Sequence, residues 1–451
     1  MTQLNEAIAR YHRLLENDNF KDLAWADALQ QKLQAHHLGA GRRLAPVLRP
    51  HFVTQRQYTN LVRASEALYS AMDRMERMAL QTPSLLARMA MLPAERMLAS
   101  IDPGYSHFSV TSLLDTRLNN GTLHVVGCTP DTAAGLLYGE TLNHLYYDAP
   151  PVREFRKKHP LVKPSGTKPL VQSLVNSWNE FGGSRKQPNI AIVEFRQAYG
   201  STESGESLLL AELLRSEGYQ VEVIPPDQLE YRNSILRHGA FEIDLIFRRV
   251  RVSEFLMRFD LNHPMVRAYR EHKVCVVNSF RSELSQKRAL FDLLTDETTT
   301  AHFPAAERKA IRDFLPWTRM VAATNTTYHD QPIDLPAFIQ GNRERLVLKP
   351  NDEDGERQTY VGTELDEAGW ERAVRVAMRG SYVVQEATKK LQCTFPLHRY
   401  GSVEMKEMTV DVQPHALMGK ITGCSAYLTP AVRNGFSTVT GVAPTFILES
   451  K

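Results

Sequence analysis

Cysteine is scarce in this chain: four residues in 451, at Cys128, Cys275, Cys393 and Cys424. No two form a C-x-x-C pair and no histidine follows at zinc-finger spacing, so the pattern points to neither a disulfide scaffold nor a structural zinc site. Buried, reduced thiols are expected. An excess of charge is missing as well, since 54 Lys+Arg face 51 Asp+Glu for a formal net charge of +3. So even a balance predicts no nucleic-acid partner and no grip on an anionic membrane. No apolar run reaches the roughly 18 residues that a spanning helix needs. The opening MTQLNEAIAR lacks the apolar core of a signal peptide, and a soluble cytoplasmic protein is the expectation. H-E-x-x-H and G-x-S-x-G are absent, which argues against a zinc protease and a nucleophile-elbow hydrolase.

What is present is an ordinary globular composition, 43% apolar and 23% charged, on a chain long enough for two to three domains. Residues 1–100 read as a helical N-terminal layer. Leu68, Met72, Met75 and Met78 recur at helical spacing, and Met89, Met91 and Met97 follow the Pro83 break. Such a stripe suits a binding groove, but core packing is its commoner use. From 101 to 185 two β-like runs, Ser106–Leu114 and Thr122–Cys128, flank an Asn120-Gly121 turn signal, and a proline-rich, lysine-bearing connector follows. Residues 186–285 alternate strand and helix: Asn189–Phe195, Ser207–Glu217, Tyr219–Ile224, Ile243–Phe247 and Val274–Val277 imply a small parallel, Rossmann-like sheet. Residues 286–451 change to an antiparallel α+β pattern.

Several places could carry chemistry. The loop Tyr199–Ser207 offers small residues before a helix, as an anion site would, yet no G-K-[ST] closes it; Ser204 or Ser207 as a plain helix cap explains it equally. Arg248, Arg249 and Asn278 end neighbouring strands, where a parallel sheet receives ligands; anchoring of a nearby loop is the alternative. Lys287 opens a helix, Lys349 ends an apolar strand before an acidic loop, and Val384-Gln385-Glu386 ends a second strand. Two lysines converging from separate elements suit a polyphosphate, while the strand edge suits a purine.

In this order the motifs resemble the nucleotide-binding half of the ATP-grasp superfamily, and more narrowly the circularly permuted proteins related to glutathionylspermidine synthase. NIAIVEF, FEIDLIFRRV, VVNSFRSELSQKRALFDLL, TVDVQPHALMGKITG and GVAPTFIL carry the likeness, which runs from about Asp102 to Leu448. The resemblance implies an α/β (overall α+β) chain: a permuted ATP-grasp fold divided between 101–185 and 286–451, with a Rossmann-like domain inserted at 186–285. It also implies that Lys287 and Lys349 contact phosphate and that Gln385 and Glu386 form the adenine hinge. Its chemistry is ATP-dependent amide formation through an acyl phosphate, with Mg²⁺ bridging the phosphates.

The metal ligands of such proteins come from an Arg-x-Asp strand and a Glu-x-Asn strand. Here Ser109 and Thr111 stand at the first pair and Gly127 and Thr129 at the second, and no Glu-x-Asn occurs between residues 100 and 150. Neutral hydroxyls and a glycine replace carboxylates poorly, so Mg²⁺ is doubtful while ATP stays open. After Lys349 the expected glycine-rich run reads Gly355-Glu356-Arg357-Gln358, which brings an acid toward the phosphates. The expectation is a degenerate protein that binds a nucleotide or an acidic, peptide-like ligand and works beside a partner ligase or another enzyme. The competing expectation is an active carboxylate–amine ligase with relocated ligands among Asp115, Asp131, Asp352, Asp354 and Asp411.

Overall fold

A computed structural model describes residues 3–36, 47–119, 122–130, 135–196, 205–352, 358–399, 401–431 and 441–449. Five helices fill the first hundred residues: α1 (Gln3–Leu15), α2 (Ala24–Ala35), α3 (Gln55–Gln81), α4 (Pro83–Arg88) and α5 (Pro93–Ser100). Thr54 and Gln57 close a reciprocal capping box that starts α3. The stripe of α3 buries Leu68, Met72 and Met75, and Met89 and Met91 join them in one core with Leu284, Leu290 and Leu294. The methionines therefore serve packing, apart from Met97, which stays exposed.

The region is not helical throughout. Strand β1 (His51–Thr54) pairs in parallel with the last strand, from Phe52 opposite Phe446 to Thr54 opposite Leu448. Apolar side chains of Phe52 and Val53 are buried by this pairing, which no local pattern announces.

Two long strands follow, β2 (Thr111–Asn119) and β3 (Thr122–Thr129), joined through Asn120-Gly121, which lie outside the described residues. The proline-rich stretch is more structured than its sequence suggests. After α6 (Leu136–Tyr147), Pro150 and Pro151 open the helix α7 (Pro150–Arg156), β4 (Leu161–Val162) joins the sheet of β1, and α8 (Thr167–Phe181) follows. Proline suits the first helical turn because its missing N–H would have no partner there.

Strands β5 (Ile190–Val193) and β6 (Val221–Ile224) flank α9 (Gly205–Ser216). A small sheet, β7–β9 (Glu230–Arg232, Ile235–His238, Phe241–Glu242), precedes β10 (Leu245–Arg248), and the helices α10 (Val252–Arg258) and α11 (Pro264–Arg270) lead on to β11 (Cys275–Val277). Strands β5, β6, β10 and β11 form a parallel sheet in the order β11-β10-β5-β6. Every residue of β5, β10 and β11 is buried, as continuous apolar runs require in a sheet covered on both faces.

The last third begins with two short helices, α12 (Glu283–Gln286) and α13 (Ala289–Leu294). Next come β12 (Thr318–Met320), the hairpin β13–β14 (Asn325–Tyr328, Gln331–Asp334), β15 (Leu346–Pro350), β16 (Tyr360–Val361) and β17 (Tyr382–Glu386). An antiparallel sheet has the order β12-β17-β15-β16. Finally β18 (Leu391–Arg399), β19 (Ser402–Leu417), β20 (Lys420–Pro430) and β21 (Gly441–Ala443) join β2 and β3 in a six-stranded sheet, and β22 (Thr445–Leu448) meets β1. Val412 of β19 faces Thr116 of β2, so the chain's first third and its last share a central sheet.

Candidate functional site

The two lysines singled out from the sequence are both engaged inside the protein. Lys287 lies between α12 and α13, and its side chain is 0% exposed. Its ammonium meets three carboxylates, Glu95 of α5 at 2.8 Å, Glu283 of α12 at 3.1 Å and Asp352 at 2.6 Å. Burial alone would lower the lysine pKa, but Glu283, Asp352 and Glu95 together raise it above its ordinary value. Lys287 is therefore charged and enclosed. Lys349, on β15, donates to Gln385 Oε1 at 2.7 Å and to the Val126 carbonyl of β3 at 3.3 Å, which ties the two antiparallel sheets together.

Gln385 is buried and donates in turn to Thr318 Oγ1 at 3.0 Å. Glu386 accepts from the Tyr328 hydroxyl at 2.8 Å. The backbone N–H of Glu386 goes to the Trp317 carbonyl, and that of Ala387 goes to Arg345. The strand edge expected to read a purine thus has these two donors already engaged. Gly355, Glu356, Arg357 and Asp354 lie outside the described residues, as do Asp131 and residues 199–204 of the Tyr199–Ser207 loop. Ser207 itself donates to Glu194 at 2.6 Å from within α9.

On the central sheet the ladder shows what each expected ligand position faces. Gly127 faces Asp115, and Thr129 faces Leu113, with a bulge between Asp115 and Thr116. The acid nearest the glycine is therefore Asp115, four residues beyond Thr111. A Cβ built on Gly127 would lie 2.7 Å from Asp115 Oδ2, so the carboxylate of one strand occupies the space where a side chain would begin on the other. Asp115 Oδ1 accepts from Gln413 at 3.0 Å, and Asp411, the other candidate ligand on this sheet, is ion-paired with Arg117. Asp352 is engaged with Lys287 as described. Thr111 is buried, its N–H and carbonyl both bonded to Asn278, and Ser109 shares a 3.0 Å hydrogen bond with Ser285. Among the described residues no group of three His, Cys, Asp or Glu side chains is placed to hold a metal ion. Mg²⁺ is commonly held by one or two carboxylates completed by waters and substrate phosphates, and the described candidates Asp115, Asp352 and Asp411 each already have a partner inside the protein.

The second cluster, at the carboxyl ends of the parallel strands, separates into anchors and one paired arginine. Arg248 is buried and donates to the carbonyls of Asn278, Val250 and Ser279 and to Ser282 Oγ. Asn278 accepts from Val110 and Thr111 N–H at 2.8 and 3.0 Å and donates to the Thr111 carbonyl at 2.7 Å. Asn278 holds the parallel sheet to the start of β2, and Arg248 holds Asn278 and the segment after it. Removing the amide in Asn278→Ala strands buried backbone groups; a loss of about 2–3 kcal/mol in urea denaturation is expected. Arg249 lies 3.6 Å from both Glu194 and Glu206, and Glu206 caps the N–H of Gly135. Burial raises the Glu206 pKa while Arg249 and the backbone bonds lower it.

No family model matches this chain, and no curated protein sequence does either. Solved structures do. A glutathione synthetase-like effector from Globodera pallida, in its apo form, aligns over 94% of this chain and 97% of its own length, at 13% identity and a TM-score of 0.55. The likeness is one of fold, shared with that synthetase-like effector over nearly the whole of both chains. A putative gamma-glutamylcysteine synthetase from Methylobacillus flagellatus aligns over 86% of both chains at 11% identity and a TM-score of 0.42; the fold assignment rests on the first structure. Within this synthetase-like fold, Glu95 and Glu76 are the site residues that the sequence reading missed. Glu76 had a visible signal, an acid set at helical spacing among Met72, Met75 and Ala79.

Proposed function

We propose that this synthetase-like protein is a binding or regulatory partner that has lost ligase chemistry and works beside another enzyme. The observation that carries the reading is the enclosure of Lys287 by Glu95, Glu283 and Asp352. A lysine with three internal carboxylates has no reason to draw in a phosphate, because its charge is already more than balanced. The engagement of Lys349 by Gln385 and Val126, and the pairing of Asp411 with Arg117, point the same way. We also propose that the fold is the circularly permuted form related to glutathionylspermidine synthase, with the parallel sheet as an inserted Rossmann-like domain. The sharing of one sheet by β2–β3 and β18–β21 supports that arrangement.

Calorimetry with ATP, with and without Mg²⁺, tests the loss of ligase chemistry. The expected result is no Mg²⁺-dependent association tighter than about 1 mM. Micromolar binding that requires Mg²⁺ and disappears in Lys349→Ala would restore the alternative, an active carboxylate–amine ligase with Asp115 among relocated ligands.

A further inference from the structure

Beside the Lys287 cluster, α3 forms one wall of a cleft of about 250 Å³. The segment His107–Ser109 forms a second wall, the turn Met418–Lys420 a third, and Ser285 closes the inner end. Two of the three acids on the α3 wall have cationic partners: Asp73 holds Arg77 at 2.9 Å and Glu66 holds Lys420 at 3.0 Å. Glu76 is different. It is 2% exposed, and among the described residues it has no cationic partner, only the Ser285 hydroxyl. Ser285 in turn meets the hydroxyl of Ser109 at 3.0 Å. The inner end of the cleft therefore offers a carboxyl and two hydroxyls in one connected row, beside the ring of Phe108 and the thioethers of Met72 and Met418.

We infer that this cleft is a binding site for a small primary ammonium compound, with Glu76 as its counter-ion. A buried carboxyl without a counter-charge is costly to ionise, and a ligand that brings the missing charge removes the cost. An ammonium has three N–H donors, and the row of Glu76, Ser285 and Ser109 supplies three oxygen acceptors. The volume equals about eight waters at roughly 30 Å³ each, which suits a short alkyl amine and is below the usual size of a drug-like site. This inference does not depend on the fate of the nucleotide site, so either can fail alone.

Burial raises the Glu76 pKa to about 8, with Asp73 raising it and Ser285 and Arg77 lowering it. At neutral pH the carboxyl is mostly protonated, and ammonium binding must release that proton. The charged neighbours are Asp73, Arg77 and Glu66 on α3, His107 opposite, Lys420 on the turn, and Arg281, Glu283 and Lys287 around Ser285.

The test is calorimetry with butylammonium chloride, sodium butyrate and butanol at pH 6, 7 and 8, in buffers of different ionisation enthalpy. Butylammonium alone is expected to bind, about tenfold more tightly per pH unit up to about 8, with proton release. Glu76→Gln keeps the shape and the neutral hydrogen bond, and is expected to abolish both binding and proton release. The comparison with this variant decides the origin of the slope. Equal binding of butyrate or butanol, undiminished binding in Glu76→Gln, or no binding at about 10 mM ligand would each overturn the assignment.

Discussion

Lys287→Met is expected to destabilise the protein by about 3–5 kcal/mol, more than any other single change considered. Methionine has nearly the length of lysine, so the packing volume is kept and the effect isolates the charge. What remains is three carboxylates, from Glu95, Glu283 and Asp352, drawn together with nothing between them. Glu95 is the most exposed to this loss in energetic terms: it is fully buried, Lys287 meets its Oε2, and among the described residues its Oε1 has no hydrogen-bond partner. Its Oε2 accepts the Leu92 N–H that starts α5, so repulsion there would loosen the junction between the helical layer and the strand-bearing body. Urea denaturation of the wild type and the variant measures the effect. The double variant Lys287→Met with Glu95→Gln is expected to recover part of the loss, because the two sites share one cluster. A lysine that served mainly to hold a phosphate would behave otherwise, leaving stability nearly unchanged when replaced.

The second large effect is a change in how stability follows pH. In the unfolded chain Glu76 ionises near 4.5, whereas in the fold it keeps its proton until about 8. Between those values the unfolded state gives up a proton that the folded state retains, so stability falls as pH rises through the window and levels off above it. A shift of this size corresponds to a penalty on the order of 4 kcal/mol at pH 8. Glu76→Gln removes the ionisation, so the variant is expected to match the wild type near pH 5 and to exceed it by that order at pH 8. Denaturation midpoints at pH 5, 6.5 and 8 give the slope directly, and an unchanged slope in the variant would refute the assignment. Buried histidines act on the opposite limb. Burial lowers His415 to about 4 and His51 to about 3, so stability falls as pH drops from about 6.5 toward those values. The wild type is therefore most stable in mildly acidic solution.

The parallel strands were legible because burial on both faces demands unbroken apolar runs, and Ile190–Val193 and residues 245–247 are such runs. Lys287 and Lys349 were legible as positions at element ends, but their partners were not. Glu95 reaches Lys287 from a helix far away in sequence, and nothing local marks that meeting. Which residue faces Gly127 was not legible for a geometric reason: the bulge beside Asp115 offsets the ladder, and a bulge leaves little trace in composition. Strand β1 was passed over because four residues among five helices carry a weak pattern, and its partner is the last strand of the chain. Arg248 and Asn278 illustrate the remaining ambiguity, since a polar residue at a strand end has the same sequence signature whether it binds a ligand or a neighbouring segment.

The pairing of β1 with β22 also sets a timetable for synthesis. His51–Thr54 finds its partner only when Thr445–Leu448 has emerged from the ribosome, long after the first strand has left it. Until then the buried faces of Phe52 and Val53 stay uncovered, and the early helices can collapse locally but cannot settle into their final seat. A chain halted before Thr445 would keep this strand unpaired, a natural target for chaperones that hold exposed apolar segments.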